Sequence, residues 1–164
     1  MMKPKRLPPL TPFIKDDLSG SLGVMEQPDV IRLNLPASYK YLNVVGASVA
    51  TMLSRLEQLP DPEINTHKAE LAVHEICTNI VEHAYGGCED GRIEITLTVY
   101  QRPPRLIVDL KDSGTPFEPT SVPEPDLERG QIRGYGLFLA RKLMDEVIYY
   151  QDTNHNYWQL VINF

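Results

Sequence analysis

Residues 70–85 read E-L-A-V-H-E-I-C-T-N-I-V-E-H-A-Y, and on a helical wheel at about 100° per residue they separate into two sides. Ala69, Ala72, Val73, Ile76, Cys77, Ile80 and Ala84 recur at i, i+3, i+4 and i+7 and form one apolar stripe. Glu75 and Asn79 stand one turn apart beside that stripe, with Glu82 on the same side. A helix anchored by the stripe holds a carboxylate and a carboxamide together at the edge of the core. A solvated face would intersperse Lys and Arg among its acids at i, i+4. An ordinary amphipathic helix is the competing reading, and the rest of the chain decides between them.

Working outward, Asn65 or Thr66 is the expected cap of this helix and Gly86-Gly87 its stop. Upstream, a helix is expected over Tyr39–Leu59, with Leu42, Val45, Val49, Met52, Leu53 and Leu56 inward, Ser38 as N-cap, and Pro60 and Pro62 ending it. Val30–Leu35 alternates as a strand. Residues 1–27, with Pro4, Pro8, Pro9, Pro12, Gly20 and Gly23, are expected to be a flexible arm ahead of one domain over 28–164.

Downstream, Arg92–Tyr100 sets Ile93, Ile95, Leu97 and Val99 against Glu94, Thr96 and Thr98, a half-buried strand. Arg102-Pro103-Pro104 turns the chain into a second strand, Leu106–Leu110, followed by the loop Asp112-Ser113-Gly114-Thr115-Pro116-Phe117. Residues 118–133 are polar and Pro-rich, and loops of this length are usually functional or disordered. A helix opens at Gly134-Tyr135-Gly136 and runs through Met144; Glu146–Tyr150 and Tyr157–Phe164 read as a closing hairpin. The order β-α-α-β-β-α-β-β predicts an α+β two-layer sandwich, a mixed and mostly antiparallel sheet with helices on one face.

The 164 residues suit a single domain, and 42% hydrophobic with 23% charged residues is a globular composition. A net charge of −6 argues against direct nucleic-acid binding, which needs clustered cations. Two cysteines, Cys77 and Cys88, are too few for a disulfide framework. The start lacks the apolar run of a signal peptide and no stretch is long enough for a membrane span, so a cytoplasmic protein is expected. The Walker phosphate loop is missing, and Thr78 stands where H-E-x-x-H needs its second histidine.

Three pieces remain: Glu75 with Asn79, Asp112-x-Gly114, and Gly134-x-Gly136. Each is weak alone, but together they are what a nucleoside triphosphate needs. The Asp112 carboxylate can accept a hydrogen bond from the exocyclic amine of adenine, and Gly114 permits close approach. Gly134 and Gly136 let the chain bend over phosphates, and N–H groups at the helix start can bind their oxygens. The Asn79 carboxamide oxygen suits Mg2+, and Glu75 can take a proton from an attacking hydroxyl.

On these residues the chain resembles the GHKL (Bergerat-fold) ATP-binding superfamily, and within it the bacterial anti-sigma factor serine/threonine kinases. The resemblance is carried by E-I-C-T-N-I-V-E-H-A-Y (75–85), D-S-G-T-P-F (112–117) and R-G-Y-G-L-F-L-A-R-K-L-M-D-E-V (133–147), and also by L-P-A-S (35–38). It implies Asn79 as the magnesium ligand, Glu75 as the catalytic base and Asp112 as the adenine contact. It also implies Gly114, Gly134, Tyr135, Gly136 and Leu137 as nucleotide-binding positions and residues 115–133 as a lid over ATP. The implied partners are a sigma factor, which is sequestered, and a STAS-type anti-anti-sigma protein, which is phosphorylated; a homodimer is implied as well. The competing function is a non-catalytic ATP-binding module that only sequesters a partner. A helix-and-sheet adaptor without nucleotide would need all three pieces to be accidents.

Overall fold

The computed structural model describes residues 27–88, 90–118 and 135–164. The period-two alternation read between Arg92 and Tyr100 is strand β2 (Arg92–Gln101), whose Ile93, Ile95, Leu97 and Val99 are all buried. It lies between β1 (Asp29–Pro36) and β3 (Pro104–Asp112), and β5 (Asn156–Asn163) and β4 (Glu146–Gln151) complete a sheet of order β1-β2-β3-β5-β4. Every pairing is antiparallel, so the mixed sheet expected from sequence is purely antiparallel. The register places Leu97 opposite Val108 and Val108 opposite Leu160, which makes one continuous apolar face. Among the described residues three α-helices, α1 (Leu42–Leu53), α2 (Pro62–Asn79) and α3 (Tyr135–Leu143), cover that face with α2 between the other two. Their buried side chains share a single core with the sheet. Each fully buried Leu or Ile there contributes roughly 1.5–3 kcal/mol.

The first helix is shorter than the expected span of Tyr39–Leu59. A 3-10 turn occupies Tyr39–Tyr41, Ser38 makes no side-chain cap, and α1 ends at Leu53. Beyond it, i to i+3 bonds from Arg55 N–H to Met52 and from Leu56 N–H to Leu53 tighten the chain. Gln101 at the end of β2 takes over the freed polar groups: its Nε2 donates to the Arg55 carbonyl at 3.0 Å and its Oε1 accepts from Glu57 N–H at 3.2 Å. Leu56 remains buried, so the apolar pattern is satisfied without helix.

Pro62, expected to close the first helix, instead opens α2 at a position where its missing N–H costs nothing. Asp61 before it adopts φ 38°, and the Asp61 carbonyl accepts the N–H of Asn65, so the expected cap at Asn65 or Thr66 lies one turn inside. The expected arm falls outside the described residues except for Gln27, as does the expected lid beyond Glu118.

Candidate active site

The site begins where α2 stops being regular. After Asn79 the chain widens into a π-helical turn, Ile80–Ala84, of the kind often found at functional sites. Glu82, expected on the side of Glu75 and Asn79, lies within this π-helical turn. It is exposed and accepts a hydrogen bond from the Tyr39 hydroxyl at 2.8 Å. Glu75 and Asn79 stay half-buried on α2. Gly86 and Gly87, at φ 59° and 77°, end the segment as expected.

The turn is tied to the loop after β3. The Thr115 N–H donates to the Ala84 carbonyl at 2.8 Å, and the Tyr85 hydroxyl accepts the Ser113 N–H at 3.0 Å while donating to the Arg92 carbonyl. A β-carbon at Gly114 would lie 2.5 Å from the Ala84 carbonyl oxygen. Backbone cannot yield as a side-chain tip can, so Gly114→Ala should destabilise the protein by about 1–3 kcal/mol. A thermal melt unchanged from wild type would show that this loop is not clamped to the turn.

Asp112, the last residue of β3, is buried at 3% exposure. Its Oδ1 accepts from Gly114 N–H at 2.9 Å and from Asn156 Nδ2 at 2.8 Å. Asn156 Nδ2 also donates to the Gly114 carbonyl, and Asn156 Oδ1 accepts the Tyr149 hydroxyl at 3.0 Å. That hydroxyl in turn accepts the Phe117 N–H at 2.9 Å. Burial pushes the Asp112 carboxyl above the usual carboxylate range, and the bonds from Asn156 and Gly114 pull it partly back. Among the described residues none of these bonds goes to Oδ2, which is left as an acceptor.

Phe117, Tyr149 and Trp158 pack with centroids 4.7–5.5 Å apart and line one cleft with Asn79, Ile80, His83, Asp112 and Asn156. Two of the sequence-predicted residues, Asn79 and Asp112, therefore meet in one cleft. Glu75 and Asn79 also meet the start of α3: a β-carbon at Gly136 would lie 2.5 Å from Glu75 Oε2 and 3.6 Å from Asn79 Oδ1. Tyr135 is the first residue of α3 and half-buried, and the Leu137 side chain belongs to the core, so Leu137 can offer a ligand only its backbone. Gly134 lies outside the described residues.

Asn156, Tyr149 and Trp158 were missed from sequence. A signal for the first was present: Asn156, Trp158, Leu160 and Ile162 all have the inward parity of β5, so a polar residue sits in a core register and needs a partner.

Residues 35–162 match the family model described as a histidine kinase-like ATPase domain. The chain is 36% identical over 137 residues to the serine-protein kinase RsbW of Listeria monocytogenes, covering 76% of this chain and 81% of that protein. It is 31% identical over 140 residues to RsbW of Halalkalibacterium halodurans, covering 79% and 80%. Among solved structures, the RsbU and RsbW domains of a Mycobacterium tuberculosis protein superpose with TM-score 0.58 at 17% identity. That match covers 82% of this chain and 32% of the other, and it bears on the fold alone. With the family model matching residues 35–162 and relatives this similar along three quarters of its length, the chain belongs to the RsbW family of serine-protein kinases, within the histidine kinase-like ATPases.

Proposed function

We propose that this chain transfers the γ-phosphoryl group of Mg·ATP to a serine or threonine of a STAS-type anti-anti-sigma protein, and that it holds a sigma factor when that protein is phosphorylated. ATP use and serine/threonine kinase activity of the anti-sigma type come with the family. The observation that carries the residue-level reading is the position of Asn79. It lines the aromatic cleft with Asp112 and also faces Gly136 beside Glu75, which supports a reading in which it joins an adenine end to a phosphate end.

In this reading adenine lies against Trp158 and Phe117 with its exocyclic amine donating to Asp112 Oδ2. The triphosphate passes Asn79 toward the free N–H groups at the start of α3. The substrate hydroxyl oxygen bonds to the γ-phosphorus, the bond to the bridging oxygen breaks, ADP departs, and Glu75 takes the hydroxyl proton.

In this reading Asn79 offers one hard oxygen at the phosphate end. This fits Mg2+, which takes few protein ligands and keeps phosphate and water oxygens; bound there, it neutralises phosphate charge. Asn79→Ala should therefore weaken Mg·ATP binding about 10-fold or more while changing metal-free ATP binding far less. Equal losses in calorimetric titrations of the two forms would remove Asn79 as the metal ligand.

The ATP-binding unit of this reading is residues 28–164. It works as a homodimer in the cytoplasm, where sigma factors act. Phosphorylation adds about 1.5–2 negative charges to the STAS partner at a packed contact and releases it. The test is to incubate the purified chain, γ-labelled ATP and a STAS partner, and to look for phosphoserine or phosphothreonine. ATP binding without transfer would leave a nucleotide-dependent binding module in place of the kinase.

A further inference from the structure

The Asp112 carboxylate ends a chain of hydrogen bonds whose direction is set at its far end. The Phe117 N–H can only donate, and it donates to the Tyr149 hydroxyl oxygen at 2.9 Å. The single proton of that hydroxyl has two acceptors in reach, Asn156 Oδ1 at 3.0 Å and Gln151 Oε1 at 3.3 Å. Gln151 is exposed and can turn to water, whereas Asn156 is buried and cannot. With its oxygen toward Tyr149, the Asn156 carboxamide points Nδ2 at Asp112 Oδ1 and at the Gly114 carbonyl, 2.8 and 3.1 Å away. Turned over, it would set an oxygen against two acceptors. Every bond therefore runs toward the carboxylate, and bonds aligned in this way polarise one another.

We propose that Tyr149 is a positioning residue for base selection: its hydroxyl orients Asn156 toward Asp112, and the cleft thereby takes a 6-aminopurine nucleotide in preference to a 6-oxopurine one. The inference rests on the adenine contact proposed for Asp112. The aromatic packing holds the hydroxyl in place, since the Tyr149 ring lies edge-on to Phe117 at 5.5 Å and tilted on Trp158 at 4.7 Å between centroids. Burial pushes the Asp112 carboxyl up, and the bond from Asn156 is the strongest influence pulling it back. An ionised carboxylate can only accept, so it attracts an amine at position 6 and repels a carbonyl there; a protonated one also offers a donor. Without the Tyr149 hydroxyl, Asn156 Oδ1 is buried without its donor and the carboxamide is free to turn. Asp112 then loses the bond that favours its charge, ATP loses a charge-assisted contact, and the repulsion of an oxopurine falls.

The test compares ATP with inosine triphosphate, which carries a carbonyl in place of the amine at position 6. Tyr149→Phe removes one oxygen and keeps the ring. Dissociation constants of both nucleotides are measured by titration on the full chain, with Mg2+ and without a protein partner. Wild type should bind ATP tighter than inosine triphosphate by about 10-fold or more, the size of one hydrogen bond to a charged group. In Tyr149→Phe the ratio should fall by about 10-fold, chiefly through weaker ATP binding. A residue that served only the fold would weaken both nucleotides alike, so an unchanged ratio overturns the proposal. If Tyr149→Phe does not fold, Asn156→Ser cuts the chain at its middle and must show the same fall; a ratio kept there overturns the proposal too. A wild type indifferent to the two bases overturns it together with the adenine contact of Asp112. Phosphoryl transfer to a STAS partner is read separately, so the kinase reading survives each of these failures and falls only on its own test.

Discussion

Glu75→Gln is expected to reduce phosphoryl transfer by about 10²-fold or more while ATP affinity and partner capture stay at wild-type level. Gln keeps the shape and one acceptor oxygen, so the contact with Gly136 at the start of α3 is preserved. It loses the charge and the basicity, and only these matter once a hydroxyl must give up its proton. Phosphoryl transfer otherwise depends mainly on positioning and charge stabilisation, which this substitution leaves in place. The measurement is single-turnover transfer of labelled phosphate to a STAS partner, beside a nucleotide titration of the same samples. Transfer at the wild-type rate would relieve Glu75 of its role while leaving the kinase standing.

Asp112→Asn should lower ATP affinity by about 10- to 100-fold, with or without metal, and should not lower stability. The carboxamide introduced there still has one oxygen for Gly114 N–H and for Asn156 Nδ2, so the network extending to Tyr149 and Phe117 survives. What changes is the other atom, which becomes a donor facing the donor amine of adenine.

The stability half follows from linkage. Burial raises the Asp112 carboxyl in the folded state, so its contribution is full at pH below the unfolded carboxylate value and is lost as pH rises through the folded one. At neutral pH the wild type carries that cost and the variant does not. Without nucleotide, the variant should melt at the same or a higher temperature at neutral pH, and the difference should fade toward about pH 4. A variant that melts well below wild type at neutral pH would mean that the carboxylate serves the fold more than the ligand.

Much of the candidate site was legible because its residues break a pattern. Glu75 and Asn79 stand out against an apolar stripe with a 3.6-residue period, and Asp112 ends a period-two strand. Asn156 breaks the β5 alternation in the same way, but as a single polar residue it lies just before the expected strand Tyr157–Phe164. Tyr149 could not be read as part of the site at all. Its hydroxyl matters only because Phe117 and Asn156, 32 residues before and 7 after it, arrive on either side.

The sequence by itself determined the order of elements, the face each one buries, and the helix that carries Glu75 and Asn79, since those depend on local periodicity and on Gly and Pro placement. Tertiary structure alone decided where α1 stops, because the groups that satisfy residues 55–57 come from Gln101 on a distant strand. It also decided that the turn after Asn79 is π-helical, because Ala84 must present its carbonyl to Thr115 across the molecule. Likewise it set which oxygen of Asp112 is engaged within the fold, because Asn156, 44 residues away, donates to Oδ1. Periodicity reports what each residue avoids or seeks in general; the partner of a particular polar atom exists only once the chain has closed on itself.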